Sequence, residues 1–455
     1  MRSALATDLY QITMAAGYEH ARPGGRSTFE LFVRALPARR GFLVAAGLDQ
    51  ALTFLESLQF TPSEIDYLRS VPALARVPVS FFDTVLPAFR FRGDVWAVRE
   101  GEPVFAREPI LRVTAPAAEA QIVETALLAL VTFPTSIASK AARIVQAADG
   151  RAVVEFGSRR AHGLDAALQA ARAAYLAGCV STSNVEAGYR FGIPVSGTMA
   201  HSWVMTFERE LDAFRSYLEL FGPATTLLID TYDTVQAARD LAAAGLCPAA
   251  VRLDSGDLRA LSLEVRRVLD EGGLTSTRIL VSGDLDEDRI ASLLSAGAPI
   301  DAFGVGTSLS TSSDSPALGG VYKLVEVERG GRMQPVVKLS AGKQTLGGAK
   351  QVWRVLENGT AARDWIGVAG EPGPEGGRPL LRHVMTGGRR IASDPPLPEL
   401  RDACLQAVAE LPASVRRLRE WGAYDVRTTA ALRAASEPLT RKAAEERRTK
   451  NAESP

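Results

Sequence analysis

The feature that most constrains the fold of this chain is a series of short apolar runs between residues 153 and 306. Segments with the composition of helices separate the runs. This order is typical of repeated strand–helix units, whose parallel strands lie side by side in a buried sheet. The runs cover residues 153–156, 193–195, 226–230, 250–254, 279–282 and 302–306.

Charged residues, hydroxyl groups or glycines follow nearly every one of these runs. Ligands bind at the carboxyl ends of parallel strands, so we expect these groups to meet at one site. A doubly wound sheet and a barrel both fit the repeat, and polar residues at nearly every strand end favour the barrel. The groups are Arg159, Arg160, Thr198, His201, Asp230, Asp233, Arg252, Asp254, Asp257, Ser282, Gly283, Gly304, Gly306 and Thr307.

Two of the predicted loops have the composition of phosphate sites. Arg159 and Arg160 could form a surface pair, but at a strand end a phosphate clamp is favoured because guanidinium groups match phosphate with two hydrogen bonds. Gly304, Gly306 and Thr307 do not form the dinucleotide fingerprint. Late in a barrel, however, such a loop opens a helix with exposed N–H groups, which bind phosphate.

Arg252 lies on an otherwise apolar strand, where a guanidinium group needs a counter-anion. A substrate carboxylate or phosphate would supply that anion. Asp254 and Asp257 follow directly, and each is either a magnesium ligand or the N-cap of the next helix. Both alternatives stay open for the two aspartates.

His201 follows the turn that contains Thr198, at the end of the second predicted strand. A neutral imidazole carries a free lone pair near pH 7, so it can act as a base, a ligand or a nucleophile. A core histidine with hydrogen bonds in a turn is the alternative. The phosphate loops and carboxylates around His201 favour a functional role over the core alternative. Together these groups indicate transfer chemistry on a phosphorylated sugar with a magnesium-bound leaving group.

The charge balance excludes one class of partner. The 455 residues contain 52 Lys and Arg against 52 Asp and Glu, whereas nucleic-acid scaffolds normally carry a basic excess. The three cysteines are widely separated and lack zinc spacing, as expected of free thiols in a reducing compartment. We find no signal peptide and no uncharged segment of membrane-spanning length, so we expect a cytoplasmic protein that binds neither nucleic acid nor membrane.

The chain outside the repeat predicts three further regions. Residues 1–118 form a mixed α/β domain, and an alternating hairpin with its turn at 328–334 returns to that domain's sheet, so that residues 320–366 complete it. Residues 119–319 form the barrel domain. Residues 367–455 form a C-terminal extension with an amphipathic helix and a charged tail, from 441 onward, that is a solvated helix or disordered.

Two helix boundaries follow from glycine and proline. A helix that starts at Thr7 or Asp8 should end near Gly17, and it places Tyr10 either in the core or where its ring can stack on a ligand. A second helix from residue 117 should end at Pro134, before another helix at 136–148.

Seven motifs, taken together and in order, resemble the nicotinate phosphoribosyltransferase family between about residues 7 and 355. They are Thr7-Asp8-Leu9-Tyr10-Gln11, Phe29-Glu30-Leu31-Phe32, Phe156-Gly157-Ser158-Arg159-Arg160-Ala161, Thr182-Ser183-Asn184, Gly197-Thr198-Met199-Ala200-His201-Ser202, Arg252-Leu253-Asp254-Ser255-Gly256-Asp257 and Gly304-Val305-Gly306-Thr307-Ser308.

The resemblance implies an α/β fold with the irregular barrel of type II phosphoribosyltransferases. It also implies ATP-coupled formation of nicotinate mononucleotide from nicotinate and phosphoribosyl diphosphate, with Mg²⁺, in a homodimer whose active site borrows from a neighbouring subunit. Tyr10, Thr198 and Arg252 match nicotinate contacts, and His201 matches a histidine that ATP phosphorylates. Residues that match the phosphoribosyl diphosphate site are Arg159, Asp254, Ser282, Gly283, Gly304, Gly306 and Thr307, with Asp254 and Asp257 as metal ligands.

The chain departs from the family at residues 343–348, Lys-Gln-Thr-Leu-Gly-Gly, where other members often have Pro-Gly, and we expect a more mobile loop there. The part beyond about residue 370 has no match. Two alternatives remain: an enzyme that uses nicotinamide or quinolinate, and a non-catalytic barrel that binds a phosphorylated metabolite.

Overall fold

The computed structural model describes residues 3–21, 25–338, 345–393 and 395–436. The chain divides into two compact units. The first contains Met1–Thr135, Ala317–Pro396 and Gln406–Pro455, and the second contains Ser136–Pro316 and Leu397–Leu405. We predicted boundaries near residues 119, 320 and 367. The predicted tail from 441 and the first two residues of the loop at 343–348 lie outside the described residues.

The second unit is built on a parallel sheet. Within residues 136–316, all of which the structure describes, six strands form this sheet. Each strand runs parallel to its neighbours. The order across the sheet is Ser181–Thr182, Ala152–Glu155, Ala302–Val305, Arg278–Val281, Ala250–Leu253 and Thr226–Leu228.

The sheet is a curled half-barrel, and its two edge strands do not pair with each other within residues 136–316. The predicted parallel α/β architecture is therefore present without a closed ring of strands. The predicted strand at 193–195 gives only an isolated bridge between Thr182 and Val195, because Pro194 has no N–H for a ladder hydrogen bond. The edge strand Ser181–Thr182 was not predicted, since two residues carry no alternating pattern.

Helices connect the strands of the second unit, and polar side chains fix where several of them begin. Asp257 accepts hydrogen bonds from the N–H groups of Arg259 and Ala260, and Asn184 accepts one from Ala187. The helices that lie wholly in this unit are Leu164–Leu176, Val185–Phe191, His201–Met205, Glu210–Phe221, Thr234–Ala243, Leu258–Glu271, Glu287–Ser295 and Thr307–Ser310, with a 3₁₀ turn at Ser158–Arg160.

The first unit contains three sheets among its described residues. The largest is antiparallel, in the order Arg332–Pro335, Gly320–Arg329, Arg26–Val33, Leu111–Pro116, Asp94–Ala97, Arg382–Thr386 and Arg389–Arg390. The second sheet has the order Gly377–Pro379, Lys350–Glu357, Thr360–Val368 and Val426–Thr428. Leu43–Val44 and Pro103–Val104 form the third.

The predicted return of the 320–327 strand to the first sheet is confirmed by its antiparallel pairing with Arg26–Val33. The hairpin turn is shorter than the predicted 328–334, because Arg329 pairs directly with Arg332. Gly330 and Gly331 form the turn with φ of 58° and 74°, angles that a type I′ turn requires and that glycine adopts without strain.

The helices of the first unit differ from prediction at two residues. Gly17 lies inside the helix Leu9–Ala21 and does not end it. Pro134 lies inside Glu124–Ala147, within which the division between the units falls. The other helices of this unit are Leu48–Ser57, Pro62–Ser70, Leu86–Ala88, Ala117–Ile122 and Ala413–Arg416, with a 3₁₀ turn at Pro72–Leu74 and a π-helical turn at Phe81–Val85.

Glu124–Ala147 is the one helix among the described residues that is long and apolar enough to cross a membrane. Because 72% of its most apolar segment is buried inside the protein, this helix is explained as a core helix.

The region beyond residue 367 is not a purely helical extension. Leu397–Ala409 is the predicted amphipathic helix, although Leu411 lies beyond its end. Short strands in the same region, such as Arg382–Thr386 and Val426–Thr428, join the first two sheets of the first unit. Chain segments this short have no alternating pattern of their own, and their neighbours in the sheet determine their conformation.

Candidate active site

A cleft of about 510 Å³ lies at the carboxyl ends of the parallel strands and is lined by residues of the second unit. Strand ends of one parallel sheet meet at one edge, which is why loops from distant parts of the chain converge here. Eleven predicted site residues line the cleft: Arg159, Arg160, Thr198, His201, Arg252, Asp254, Ser282, Gly283, Gly304, Gly306 and Thr307.

Arg252, Asp254 and Ser282 form a hydrogen-bonded group on one wall. Arg252 donates from Nε to Ser282 Oγ at 2.8 Å and from Nη2 to Asp254 Oδ1 at 2.7 Å, while Ser282 Oγ donates to the same Asp254 oxygen at 2.5 Å. Arg252 Nη1 makes no hydrogen bond to a described residue. The face of the Phe156 ring lies 5.6 Å from Arg252 Cζ. We expected a substrate to supply the counter-anion of Arg252, whereas Asp254 supplies it in part. One edge of the guanidinium group remains available.

Asp254 is held in its charged form. Burial alone would raise its pKa, but the hydrogen bond from Ser282 and the charge of Arg252 outweigh burial, so the pKa lies below the ordinary value. The Asp254 carboxylate is therefore an anion at neutral pH. The backbone N–H of Asp254 donates a hydrogen bond to Asp230 Oδ2 at 3.0 Å.

His201 begins the short helix His201–Met205, and its ring is partly exposed to the cleft. Its Nδ1 lies 3.2 Å from Thr231 Oγ1, and its Nε2 lies 4.0 Å from Asp254 Oδ2, beyond hydrogen-bond distance. When Nδ1 carries the proton and donates it to Thr231, Nε2 has a free lone pair and can act as a nucleophile. Thr231 was not predicted as the partner of His201, and only its place after the strand Thr226–Leu228 could have indicated it.

The turn Ser158–Arg160 carries two exposed arginines at the cleft. Neither Arg159 nor Arg160 makes an ion pair or a side-chain hydrogen bond with a described residue. Unpaired guanidinium groups beside a concave polar surface are well suited to bind an anionic group such as phosphate.

The glycines of the cleft allow loops to approach closely. Gly283 has φ of 94°, and a Cβ there would lie 2.2 Å from the Asp254 carbonyl oxygen. At Gly304 a Cβ would lie 2.5 Å from the Phe156 ring. Thr307 then begins the four-residue helix Thr307–Ser310. Larger residues at 283 and 304 would displace Asp254 and Phe156.

Four predicted site residues do not line the cleft. Asp230 accepts a hydrogen bond from the N–H of Asp254, and Asp233 is the N-cap of Thr234–Ala243. Asp257 is the N-cap of Leu258–Glu271, which is the alternative left open for it. Tyr10 lies in the first unit on Leu9–Ala21, where its exposed ring lines a shallow depression of that unit. Its contact with nicotinate remains a prediction.

The cleft does not contain a preformed metal cage. No group of three or more His, Cys, Asp or Glu residues close enough to hold a metal ion occurs among the described residues. Mg²⁺ often uses one or two carboxylates and completes its shell with water and substrate phosphates. Asp254, a charged carboxylate on the wall of the cleft, fits that smaller role, and Asp257, which caps a helix, fits it less well.

The chain was compared with known protein families. Residues 5–132 match the model of the nicotinate phosphoribosyltransferase N-terminal domain, and residues 152–351 match the nicotinate phosphoribosyltransferase family model. The chain belongs to the nicotinate phosphoribosyltransferase family.

Relatives within this family cover most of the chain. The nicotinate phosphoribosyltransferase pncB2 of Mycobacterium tuberculosis is 46% identical over 426 residues, which is 92% of this chain and 90% of the relative. The nicotinate phosphoribosyltransferase of Bacillus subtilis is 43% identical, over 81% of this chain and 76% of the relative. The crystal structure of human nicotinic acid phosphoribosyltransferase superimposes with a TM-score of 0.83 at 30% identity, covering 95% and 99% of the two chains. The chain is therefore an enzyme of this family.

Proposed function

We propose that this enzyme transfers the phosphoribosyl group of phosphoribosyl diphosphate to nicotinate, which yields nicotinate mononucleotide and diphosphate in NAD salvage. One observation carries the proposal. A single cleft in a member of this family combines an Arg–Asp pair, a partly exposed histidine and two arginines that have no partner among the described residues. The activities in the names of the relatives support it.

Nicotinate binds through its carboxylate to the free edge of Arg252 and through its ring beside Phe156 and Thr198. Two parallel N–H···O bonds between guanidinium and carboxylate favour nicotinate over neutral nicotinamide. Asp254 holds Arg252 at 2.7 Å, so the guanidinium group keeps its orientation before the base arrives. Tyr10 supplies a further stacking contact, as the resemblance implies.

The sugar and its phosphates bind to Arg159, Asp254, Ser282, Gly283, Gly304, Gly306 and Thr307. The ring nitrogen of nicotinate donates its electron pair to the anomeric carbon, and the bond from that carbon to the diphosphate oxygen breaks with its electrons leaving on diphosphate. Mg²⁺ bound with the diphosphate and Asp254 would neutralise the negative charge of the leaving group. Arg159 contributes positive charge at the same phosphates.

ATP is the second co-substrate and phosphorylates His201. The Nε2 lone pair attacks the γ-phosphorus of ATP, and ADP leaves with the bond electrons. The hydrogen bond from Nδ1 to Thr231 Oγ1 keeps the proton on Nδ1 and fixes the ring during this step. The added phosphoryl charge orders the cationic sugar-phosphate loops, and hydrolysis of the phosphohistidine later releases phosphate.

Coupling is tested by measuring ADP release with and without nicotinate in the presence of phosphoribosyl diphosphate. We expect nicotinate to increase ADP release and nicotinate mononucleotide to appear with it. Nicotinate, nicotinamide and quinolinate are then offered together. Preferential consumption of nicotinamide or quinolinate would contradict the proposal, and so would binding of phosphoribosyl diphosphate without product from any base.

The phosphohistidine is tested with γ-labelled ATP. His201→Ala should abolish acid-labile label on the protein while leaving slow, uncoupled base transfer. His162→Ala is the matched control, because His162 belongs to the same unit but does not line the cleft, and it should keep full labelling. Label retained in His201→Ala would contradict the assignment of His201 as the phosphorylated residue.

The enzyme works as a cytoplasmic homodimer on small molecules, without nucleic acid or membrane. Its balanced charge and the family resemblance support this. One chain has a mass of 48.6 kDa, and light scattering coupled to gel filtration should give twice that mass. A purely monomeric species with full activity would contradict it.

A further inference from the structure

A buried carboxylate stands at the end of the strand Ala152–Glu155, directly before the turn that carries Arg159. Glu155 is 1% exposed and makes no ion pair with a described residue. Its Oε1 accepts a hydrogen bond from the N–H of Gly157, and its Oε2 accepts one from Thr182 Oγ1 at 2.6 Å. A buried carboxylate without a cation is costly, so its two donors determine how well it is tolerated.

The two hydrogen bonds of Glu155 join two loops that line the cleft. Thr182 Oγ1 also accepts from the N–H of Asn184 at 3.0 Å, and Asn184 Nδ2 donates to Ser158 Oγ at 3.1 Å. The connections thus form a closed ring from Glu155 through Thr182 and Asn184 to Ser158 and back through Gly157. Burial raises the pKa of Glu155, while the hydrogen bonds from Thr182 and Gly157 act in the opposite direction.

Close packing leaves the turn little room to move. A Cβ at Gly157 would lie 2.4 Å from Ser310 Cβ. Arg159, in contrast, has no partner among the described residues and depends on its backbone for its position. A long side chain that must be ordered on binding loses conformational entropy, so a fixed backbone limits the further loss.

We propose that Glu155 and Thr182 are positioning residues that hold the turn Ser158–Arg160 in place for binding of the sugar diphosphate. They do not touch the substrate, and they act through Arg159. This inference rests on the proposed function, in which Arg159 binds phosphate.

The first test replaces Thr182 by a residue of nearly the same shape. Thr182→Val removes the hydroxyl that donates to Glu155, and Thr182→Ser retains it. Loss of one hydrogen bond to a charged group should raise the KM for phosphoribosyl diphosphate about tenfold, with the KM for nicotinate unchanged and kcat within about twofold. Thr182→Ser should restore the wild-type KM. Equal increases of both KM values, or no increase in a folded Thr182→Val protein, would overturn the proposal.

The second test is a double-mutant cycle with Arg159. If Thr182 acts through Arg159, Thr182→Val should add little to the effect of Arg159→Ala, whereas independent contributions would multiply. Multiplying effects overturn the positioning role. An Arg159→Ala variant with an unchanged KM for phosphoribosyl diphosphate contradicts instead the phosphate role of Arg159 in the proposed function, so the two failures are distinguishable.

Glu155→Gln provides a variant with the same volume and a reduced number of acceptors. Its amide oxygen can still accept from Gly157, but its amide nitrogen can only donate to Thr182 Oγ1, which leaves the threonine hydroxyl proton without its acceptor. We expect a selective increase in the KM for phosphoribosyl diphosphate that is smaller than in Thr182→Val, with the folded state verified by the thermal unfolding midpoint. A Glu155→Gln enzyme with wild-type KM values would overturn the role of Glu155.

Discussion

Two arginine–aspartate pairs, one in each unit, have nearly the same contact distance but opposite surroundings. Arg252 and Asp254 lie 2.7 Å apart at the cleft, with side chains 11% and 25% exposed. Arg354 and Asp364 lie 2.6 Å apart in the first unit, with side chains 1% and 0% exposed. The same two chemical groups therefore occur in an open and in a closed environment.

The closed pair uses nearly all of its hydrogen-bonding capacity inside the protein. Arg354 donates twice to Asp364, once to Glu102 and once to the carbonyl oxygen of Pro103. The hydroxyl of Tyr424 also donates to Asp364. In the open pair, Arg252 Nη1 has no hydrogen-bond partner within the part of the chain that the structure describes. The number of free donors, and not the ion pair itself, therefore distinguishes a ligand site from a structural contact.

The largest effect should come from breaking the closed pair. Arg354→Met leaves Asp364 as a buried carboxylate without its cation, while Glu102 keeps its ion pair with Arg378 at 2.9 Å, and we expect a loss of about 3–5 kcal/mol of unfolding free energy. Urea unfolding followed by fluorescence measures this loss. Arg209→Met is the control, because Arg209 pairs with Asp212 at 2.7 Å on the surface, and it should leave the midpoint unchanged. Equal midpoints for the two variants would mean that burial does not separate these pairs.

The open pair should affect catalysis more than folding. Arg252→Ala removes the guanidinium edge proposed to bind nicotinate, and we expect kcat/KM for nicotinate to fall about 100-fold, which corresponds to about 2.7 kcal/mol. The unfolding midpoint should change much less than in Arg354→Met, since Asp254 keeps its bond from Ser282 and some access to water. Arg252→Lys keeps the charge without the planar fork and should give an intermediate loss. A stability loss as large as that of Arg354→Met would contradict the comparison.

Part of this comparison was available from the sequence. Apolar runs followed by polar residues were enough to group Arg252, Asp254 and His201, because parallel strands place their carboxyl ends at one edge. The helix Leu258–Glu271 begins after Asp257, one of the two N-caps that the sequence offered, and Gly272 follows it. Local patterns are sufficient where one segment determines its own conformation.

The closed cluster could not be predicted in the same way. Glu102, Arg354 and Asp364 are separated by up to 262 positions, from 364 minus 102, and no periodicity connects them. Pro134 and Gly17 were expected to end helices because their intrinsic propensity is low, but both lie inside helices. Gly17 is exposed, but Ile12, Ala15 and Ala16 of the same helix are buried. Such tertiary contacts, which a single sequence does not display, outweigh local propensity.

Variants of Gly283 test whether the close approach of this residue to Asp254 contributes to substrate binding. Gly283→Ala combines a positive φ with a Cβ only 2.2 Å from the Asp254 carbonyl, whereas Gly297 has a similar φ and open space. Gly297→Ala should cost about 1–2 kcal/mol from backbone strain alone, and Gly283→Ala should cost more and also raise the KM for phosphoribosyl diphosphate. Thermal unfolding and steady-state kinetics measure both. Matching KM values in the two variants would show that the approach to Asp254 has no part in binding.

Variants of Asp257 test whether this carboxylate caps a helix or belongs to the metal site, and their expected effect on stability is smaller. As an N-cap, Asp257→Ala should lose about 1 kcal/mol of stability, while Asp257→Asn, which also caps helices, should lose little. Titration of activity with Mg²⁺ should give the wild-type midpoint for both variants. A higher Mg²⁺ requirement in Asp257→Asn would instead assign this carboxylate to the metal.

The acidic groups at the two pairs should change the stability of the folded protein in opposite directions as the pH falls. Asp254 has a lowered pKa, so its contribution to stability is present above its unfolded value of 3.8 and is lost only as pH falls through the lower folded value. Glu108, beside the closed pair, has a pKa raised well above 4.5 by burial and then by the charge of Asp364. Its charged form therefore destabilises the folded protein at high pH, and this penalty disappears as pH falls toward 4.5.

Glu108→Gln removes this second dependence, because the amide cannot ionise but can still accept the hydrogen bond that Phe105 donates at 2.8 Å. Relative to this variant, the wild-type enzyme should gain unfolding free energy as pH is lowered from 8 toward 4.5, and urea unfolding at several pH values measures the difference. Asp254→Asn should show no such relative change over the same range, since Asp254 stays charged in both the folded and the unfolded state until the pH is near 4. A constant difference between wild-type and Glu108→Gln across this range would mean that the carboxyl group beside the closed pair titrates normally. The closed cluster would then be open to water like the cleft, and burial would not distinguish the two pairs.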